Sequence, residues 1–526
     1  MKLYQILFAL LVVFSLPNCD GTSTNETAGE GEEAPPTEEF VEEPTMEVNL
    51  PADLLDGMYP PYDLAPNSSL LDNAVFAWKE MIALSWESTY TASVPQRETP
   101  NASWSYADGT PSSPLVWETF AHRIEYRPKG DVITKPFDST PSYPFVNTDQ
   151  IDWNGLDQSQ YFVVLDEDNE IGSCYVFANP DITAVTDQEN LVMYMAKANR
   201  VEYDYRKAYF NSTAALKSAI GKIQADSTQQ ILKGISVYED ASGSDPCGAK
   251  YYAENEGVIV FPCSDETDQT RGMMEIKTAW RPLTADDNPK EFLVRDAVTF
   301  LQSGEDDNAT YTAQVDQYVL IGMHIIHKTN NYRQMFIATW EHNSVEDYGY
   351  KFALDNNEVA STKLQGVFRH DDSDGAHSRN PLTYGVISDS VQARIRAASP
   401  DNPNFLANYR LTGIQSDLYP DSPLADRKTT MPTYYLANLV IESDSLLADF
   451  SGSGFGAPHD DKPNVITDGK FITVGGCSGC HGAGAQVKGG TDFSFLNDFA
   501  AKPIPVPDPF RLPDSKIAKQ SADDLN

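Results

Sequence analysis

Basic residues are scarce in this chain: 38 Lys and Arg stand against 77 Asp and Glu, a net charge of −39. Phosphate backbones are bound by clustered Lys and Arg, so nucleic acid is excluded as a partner. The acidity serves solubility and can steer a basic protein partner. Long apolar runs are missing as well. The longest, Leu3 to Leu16, falls short of the ~20 residues that span a bilayer, and the mature chain is read as not integral to a membrane. There is no Gly-x-Ser-x-Gly elbow and no phosphate-cradling glycine loop, which leaves serine-nucleophile and nucleotide chemistry without support. No internal repeat is visible.

Cysteine and histidine are also few, 6 and 8 in 526 residues. Against that background "VGGCSGCHGAGAQ", residues 474–486, places Cys477, Cys480 and His481 in the spacing Cys-x-x-Cys-His. Composition alone yields such a pentapeptide only ~10⁻³ times in a chain like this. The spacing fits covalent haem attachment: two thiols add across the haem vinyl groups, and the adjacent imidazole becomes the proximal iron ligand. A thioredoxin-like redox pair is the competing reading of Cys-x-x-Cys. It calls for a strand before and a helix after, whereas glycines crowd both sides here.

Haem c is attached outside the bacterial cytoplasm, and the N-terminus has the form of an export signal, Lys2 followed by the apolar run. Residues 1–19 are expected to be a lipoprotein-type signal. Leu16 and Cys19 resemble a lipobox, with Pro17 and Asn18 departing from its small residues. Lipidated Cys19 would tether the protein at the periplasmic or outer-membrane surface through the acidic, Pro-rich stretch 20–69. Of the remaining cysteines, Cys247 and Cys263 are the disulfide candidate, stapling a hairpin and leaving Cys174 buried and unpaired.

The predicted fold class is α+β, mostly β: a β-rich body over 70–432 and a C-terminal helical and loop segment, 433–526, that carries the haem. "NAVFAWKEMIALSW" spaces Val75, Trp78, Met81, Ile82 and Trp86 as an amphipathic helix. "YFNSTAALKSAIGKIQAD" predicts a second, capped by Ser212 or Thr213 with Ala214, Leu216, Ile220 and Ile223 inward. Strands are expected at "GVIVFP", "MMEIKTAWRP", "QYVLIGMHIIHKT" and "QMFIATWEHN", the last two forming an antiparallel pair around "KTNNYR". Pro381 to Pro432 reads as loop-rich, and "TYYLANLVIESDSLLADF" as a helix leading to the haem segment.

Residues 482–526 contain neither Met nor His. A sixth iron ligand therefore comes from upstream, or that position is open. His324, His327 and His342 are the leading candidates because the predicted hairpin gathers them. The wider set is His122, His370, His377, His459, Met323, Met335 and Met431. Strand alternation sends His324 and His327 to opposite faces. With the turn centred on Asn331, His324 shares a face with Trp340 and His342, and His327 with Met323 and Glu341. The competing reading is a purely structural role for these imidazoles. A zinc site finds too few convergent ligands. Glu118 and Glu341, beside aromatics, are read as core acids rather than general bases. No catalytic residue is assigned.

Several segments in order resemble a family of large exported bacterial monohaem cytochrome c (haem-binding) proteins: "AWKEMIALSW", "VWETF", "EIKTAWRPL", "IGMHIIHKT" with "ATWEH", "LANLVIES", and "CSGCHGAGA" followed by "DFSFL". The resemblance implies one covalent haem c held by Cys477, Cys480 and His481, behind a β-rich domain. The leading expectation is single-electron transfer between redox partner proteins. The rivals are a haem c oxidoreductase with an open distal position, acting on a small molecule, and a glycan- or ligand-binding module with an accessory haem.

Overall fold

A computed structural model of the chain describes residues 48–66, 68–168, 175–182, 190–225, 245–267, 269–304, 308–353, 359–361, 381–415, 438–442, 465–467, 470–472, 477, 481, 485 and 489–508. The fold is α+β around one large sheet. Its strands are β1 (Ala121–His122), β2 (Ile151–Asp152), β3 (Met193–Ala198), β4 (Met274–Pro282), β5 (Val294–Ser303), β6 (Thr310–His327), β7 (Phe336–His342) and β8 (Tyr409–Gln415). The order is β1-β3-β4-β6-β7-β8, with β2 and β5 on the first half of β6. Every pairing is antiparallel except β2 with β6. The 18-residue β6 is the spine.

One face of the sheet carries Met274, Ile276, Met323, Ile325, Phe336, Ala338 and Trp340, and packs into the main core. Helix α1 (Leu70–Leu84) lies on it, started by a capping box between Ser69 and Asp72. Its Trp78 meets Trp340 edge-on at 6.2 Å, and its Phe76 meets Phe336 at 4.8 Å. Trp78, Trp117, Trp280 and Trp340 are all fully buried, and at ~150–250 Å² of surface each they dominate the burial energy. Val75, expected inward, is only half-buried, while Phe76 and Glu80 are buried. Glu80 answers His327, whose Nδ1 lies 2.5 Å from its Oε1. Burial pushes the Glu80 carboxyl up, His327 opposing.

The opposite face carries Glu275, Lys277, His324, Ile326, Ile337 and Thr339, as the register requires. Helices α2 (Arg200–Tyr209) and α3 (Thr213–Ala225) lie toward this side and contribute Tyr205, Leu216, Ala219 and Ile220 to a second cluster with Ile326 and Ile337. Ser212 begins α3, its hydroxyl accepting from Ala215 N. Ala214 is exposed rather than inward, and Ala219 fills that place. Cys247 and Cys263 form a disulfide with Cα atoms 5.4 Å apart. The loop it closes is not a hairpin: it holds helical turns over Ala249–Glu256 and then chain without regular structure.

Three further expectations are corrected. "GVIVFP" forms no ladder, because side chains take its donors: Val260 N–H binds Tyr205 Oη and Phe261 N–H binds Asp492 Oδ2. The region after Pro381 is not loop-rich at its start, since α4 (Pro381–Ala398) buries Ile387, Val391 and Ile395 against the main core and β8 completes the sheet. Residues 48–66, assigned to the tether, lie on the body: Leu54 is buried, and Arg394 binds the Pro51 and Ala52 carbonyls. Signal residues 1–19, with Cys19, lie outside the described residues, as do 20–47 of the tether. No helix among the described residues is long and apolar enough to cross a membrane.

His327 with Glu80 is the polar bolt between α1 and the sheet. His327→Leu should destabilise by about 3–5 kcal/mol by stranding a buried carboxyl, and Glu80→Leu in the same chain should recover much of it. Denaturant midpoints of the two single variants and the double variant measure the coupling.

Candidate functional site

The C-terminal segment meets the sheet on the polar face. Cys477 is buried among Phe261, Ile326, Ile337 and Phe493. Four residues on, the partly buried His481 brings Nδ1 to 2.6 Å from the Phe493 carbonyl. That contact makes Nδ1 the protonated nitrogen and leaves Nε2 as the lone-pair atom. Burial lowers the imidazole to about 4, the Phe493 carbonyl opposing. The ring is therefore neutral at pH 7, the form that ligates a metal. The Phe495 ring stands against it edge-on at 4.7 Å.

The Phe493 carbonyl is presented by an uncommon turn. Asp492 (φ 51°) and Phe493 (φ 68°) are consecutive left-handed residues without being glycine, a conformation that costs ~1–2 kcal/mol per residue. The Asp492 carboxylate holds it by accepting from Phe261 N–H at 2.5 Å and from the Lys328 ammonium. Lys328 follows directly on β6, and both side chains are fully buried. Burial lowers the Lys328 pKa against the pull of Asp492. Ser494 adds a bond from its hydroxyl to Glu275 at 2.5 Å.

Of the three histidines singled out from the hairpin, His324 alone lies toward this segment. It stands on the sheet face that carries Ile326 and Ile337, which cluster with Cys477 and Phe493. His324 Nε2 lies 2.9 Å from Glu442 Oε1, and its buried Nδ1 has no hydrogen-bond partner among the described residues. Glu442 belongs to 438–442, expected to be helical but here a turn in which the Asn438, Leu439 and Val440 N–H groups bind side chains, Leu439 N–H donating to Glu341 at 2.7 Å. Gly322 lets this turn settle on β6, since a Cβ there would sit 2.8 Å from Val440.

His327 and His342 are corrected as candidate ligands, because both ring nitrogens of each are committed elsewhere. His327 contacts Glu80, Ser264 and the Arg271 carbonyl. His342 contacts Ser344 and the Glu291 carbonyl, and stacks on Phe292 at 3.9 Å. Burial holds it at about 4. The expected facing was off by one residue. His327 pairs with Phe336, so the hairpin centres between Asn331 and Tyr332, and His324 shares its face with Thr339 and Glu341 while His327 shares the other with Met323, Trp340 and His342. A one-residue slip moves every side chain to the other face.

His122 is buried against the Val164 carbonyl and Asp166. Met323 and Met335 are core residues. Glu118 makes a two-pronged ion pair with Arg295 at 2.7 and 3.0 Å. Cys480, Cys174, His370, His377, His459 and Met431 lie outside the described residues. Among those described, no three His, Cys, Asp or Glu side chains converge as a metal-ion site. Comparison with known proteins gives no match: no family model, curated protein or solved structure is similar enough to carry a fold or function across.

The two described members of the motif, Cys477 and His481, fit a covalently held haem. A neutral imidazole with Nδ1–H fixed on a carbonyl, four residues after a cysteine on an apolar patch, is what a proximal ligand needs. Glu442, Lys328, Asp492 and the buried pair Glu202 and Glu275 escaped sequence reasoning. Their partners are remote in the chain, and no local pattern marks them.

Burial pushes both Glu202 and Glu275 up, Glu275 to about 7. An acid whose folded pKa lies above its ordinary 4.5 contributes stability fully present below 4.5 and lost as pH rises through about 7. Glu275→Gln should therefore flatten the fall in melting temperature between pH 5 and pH 8. An unchanged slope in scanning calorimetry would contradict the assignment.

Proposed function

We propose that the chain is an exported monohaem c-type cytochrome that passes single electrons between redox protein partners. Cys477 and Cys480 are its covalent anchors and His481 its proximal ligand. The bond from His481 Nδ1 to the Phe493 carbonyl, which leaves a neutral ring with Nε2 as lone-pair donor, carries the reading. Bound haem supplies a one-electron iron couple. The chain's own groups orient the imidazole through Phe493, seat Cys477 in an apolar cluster and keep water from it. His324 is the distal candidate, because it stands on the sheet face that meets the C-terminal segment and its Nδ1 has no partner among the described residues. Export and lipidation at Cys19 belong to the same proposal: the signal-like N-terminus and the acidic stretch after it would hold the body at a membrane surface, and a net charge of −39 favours basic partners.

A second reading rests on the grip of Glu442 on His324 Nε2 at 2.9 Å. If that contact persists, His324 would not ligate, and a haem held by Cys477, Cys480 and His481 would keep a free site, as suits a haem oxidoreductase acting on a small molecule with His324 and Glu442 to exchange protons.

Optical spectra of the purified protein, with and without carbon monoxide, separate the two. Low-spin haem insensitive to carbon monoxide, converted by His324→Ala to a form that binds it, is expected for electron transfer. Wild-type haem that binds carbon monoxide readily would favour the oxidoreductase. Spectra unchanged by His324→Ala would remove His324 from the site.

A further inference from the structure

We infer that Lys328 and Asp492 are positioning residues for the proximal histidine, setting the electron affinity of the haem through the backbone of Phe493. The inference rests on the proposed role of His481.

The chain of contacts is continuous. Lys328, fully buried at the end of β6, donates to the Asp492 carboxylate, which also accepts from Phe261 N–H at 2.5 Å. Those contacts hold Asp492 at φ 51° and Phe493 at φ 68°. In that geometry the Phe493 carbonyl lies 2.6 Å from His481 Nδ1. The turn is braced on both flanks, Thr491 N–H binding the Ala485 carbonyl at 3.0 Å and Ser494 N–H binding the Thr491 carbonyl at 3.1 Å. Left-handed backbone in non-glycine residues persists only where surrounding contacts over-determine it, and it collects at functional sites. Relaxation of either φ to its ordinary negative value would rotate the adjoining peptide planes and take the carbonyl away from the ring.

The consequence is electronic as well as steric. A hydrogen bond from Nδ1–H to a carbonyl makes the imidazole a stronger donor through Nε2, and a stronger donor stabilises the oxidised metal. A buried lysine and aspartate acting through the Phe493 carbonyl would thus lower the midpoint potential of a haem held by His481. Replacing both keeps the interior free of a stranded charge.

The test uses the full-length holoprotein and three variants: Lys328→Met, the double change Lys328→Met with Asp492→Asn, and Lys328→Arg as the conservative control. Potentiometry gives the midpoint potential, NMR the exchange rate of the His481 Nδ1 proton, and thermal melting the overall stability. The expected result is an upward shift in potential with faster proton exchange in the double variant, and values near wild type for Lys328→Arg. A lower melting temperature with potential and proton exchange unchanged would make the pair merely structural and overturn the inference. Wild-type protein that carries no haem would instead defeat the functional reading. In that haem-free chain, proton exchange at His481 still decides whether the pair holds the turn.

Discussion

A polar group taken out of water must find a partner, and the end of β6 imposes that constraint three times within five residues. His324 reaches Glu442, His327 reaches Glu80 and Lys328 reaches Asp492. Those partners lie in three different parts of the chain: the 438–442 turn, helix α1 and the C-terminal segment. An unpaired buried charge costs several kcal/mol, so each contact fixes the element that supplies it. One strand end thereby organises the layer on each face of the sheet, and the proposed haem-bearing segment is placed by the same rule as the structural helix.

The parts legible in the sequence were those governed by local periodicity. Helix α1 and strands β4, β6 and β7 follow from apolar spacing, and Cys-x-x-Cys-His follows from chemistry at fixed separation. Register was not legible: whether a hairpin centres on Asn331 or half a residue later is decided by the packed turn, and that small difference reassigns every face. Helix α2 (Arg200–Tyr209) escaped notice because its buried residues are Glu202, Tyr203, Tyr205 and Arg206, two of them charged. Helix α4 did carry an apolar stripe, Ile387, Val391 and Ile395 at intervals of four, but prolines on either side drew the reading toward loop. Glu442 and Asp492 could not be found from sequence, because each lies more than a hundred residues from the side chain it serves.

The acidic balance has a structural side. Several of the few basic residues are spent inside, in pairs such as Arg97 with Glu125, Arg281 with Asp287 and Arg123 with Asp166. Each internal pair withdraws one cation and one carboxylate, and so leaves the surface its net negative charge. Such a surface repels acidic partners and speeds encounter with basic ones at low ionic strength.

The central claim is that Cys477 and Cys480 hold a haem with His481 beneath it. The most direct measurement is mass spectrometry of the peptide carrying residues 477–481, taken from the full chain after expression in a host with c-type haem maturation. The account predicts that this peptide carries one haem joined through both cysteines. A peptide whose cysteines are unmodified, or joined only to each other, would contradict it.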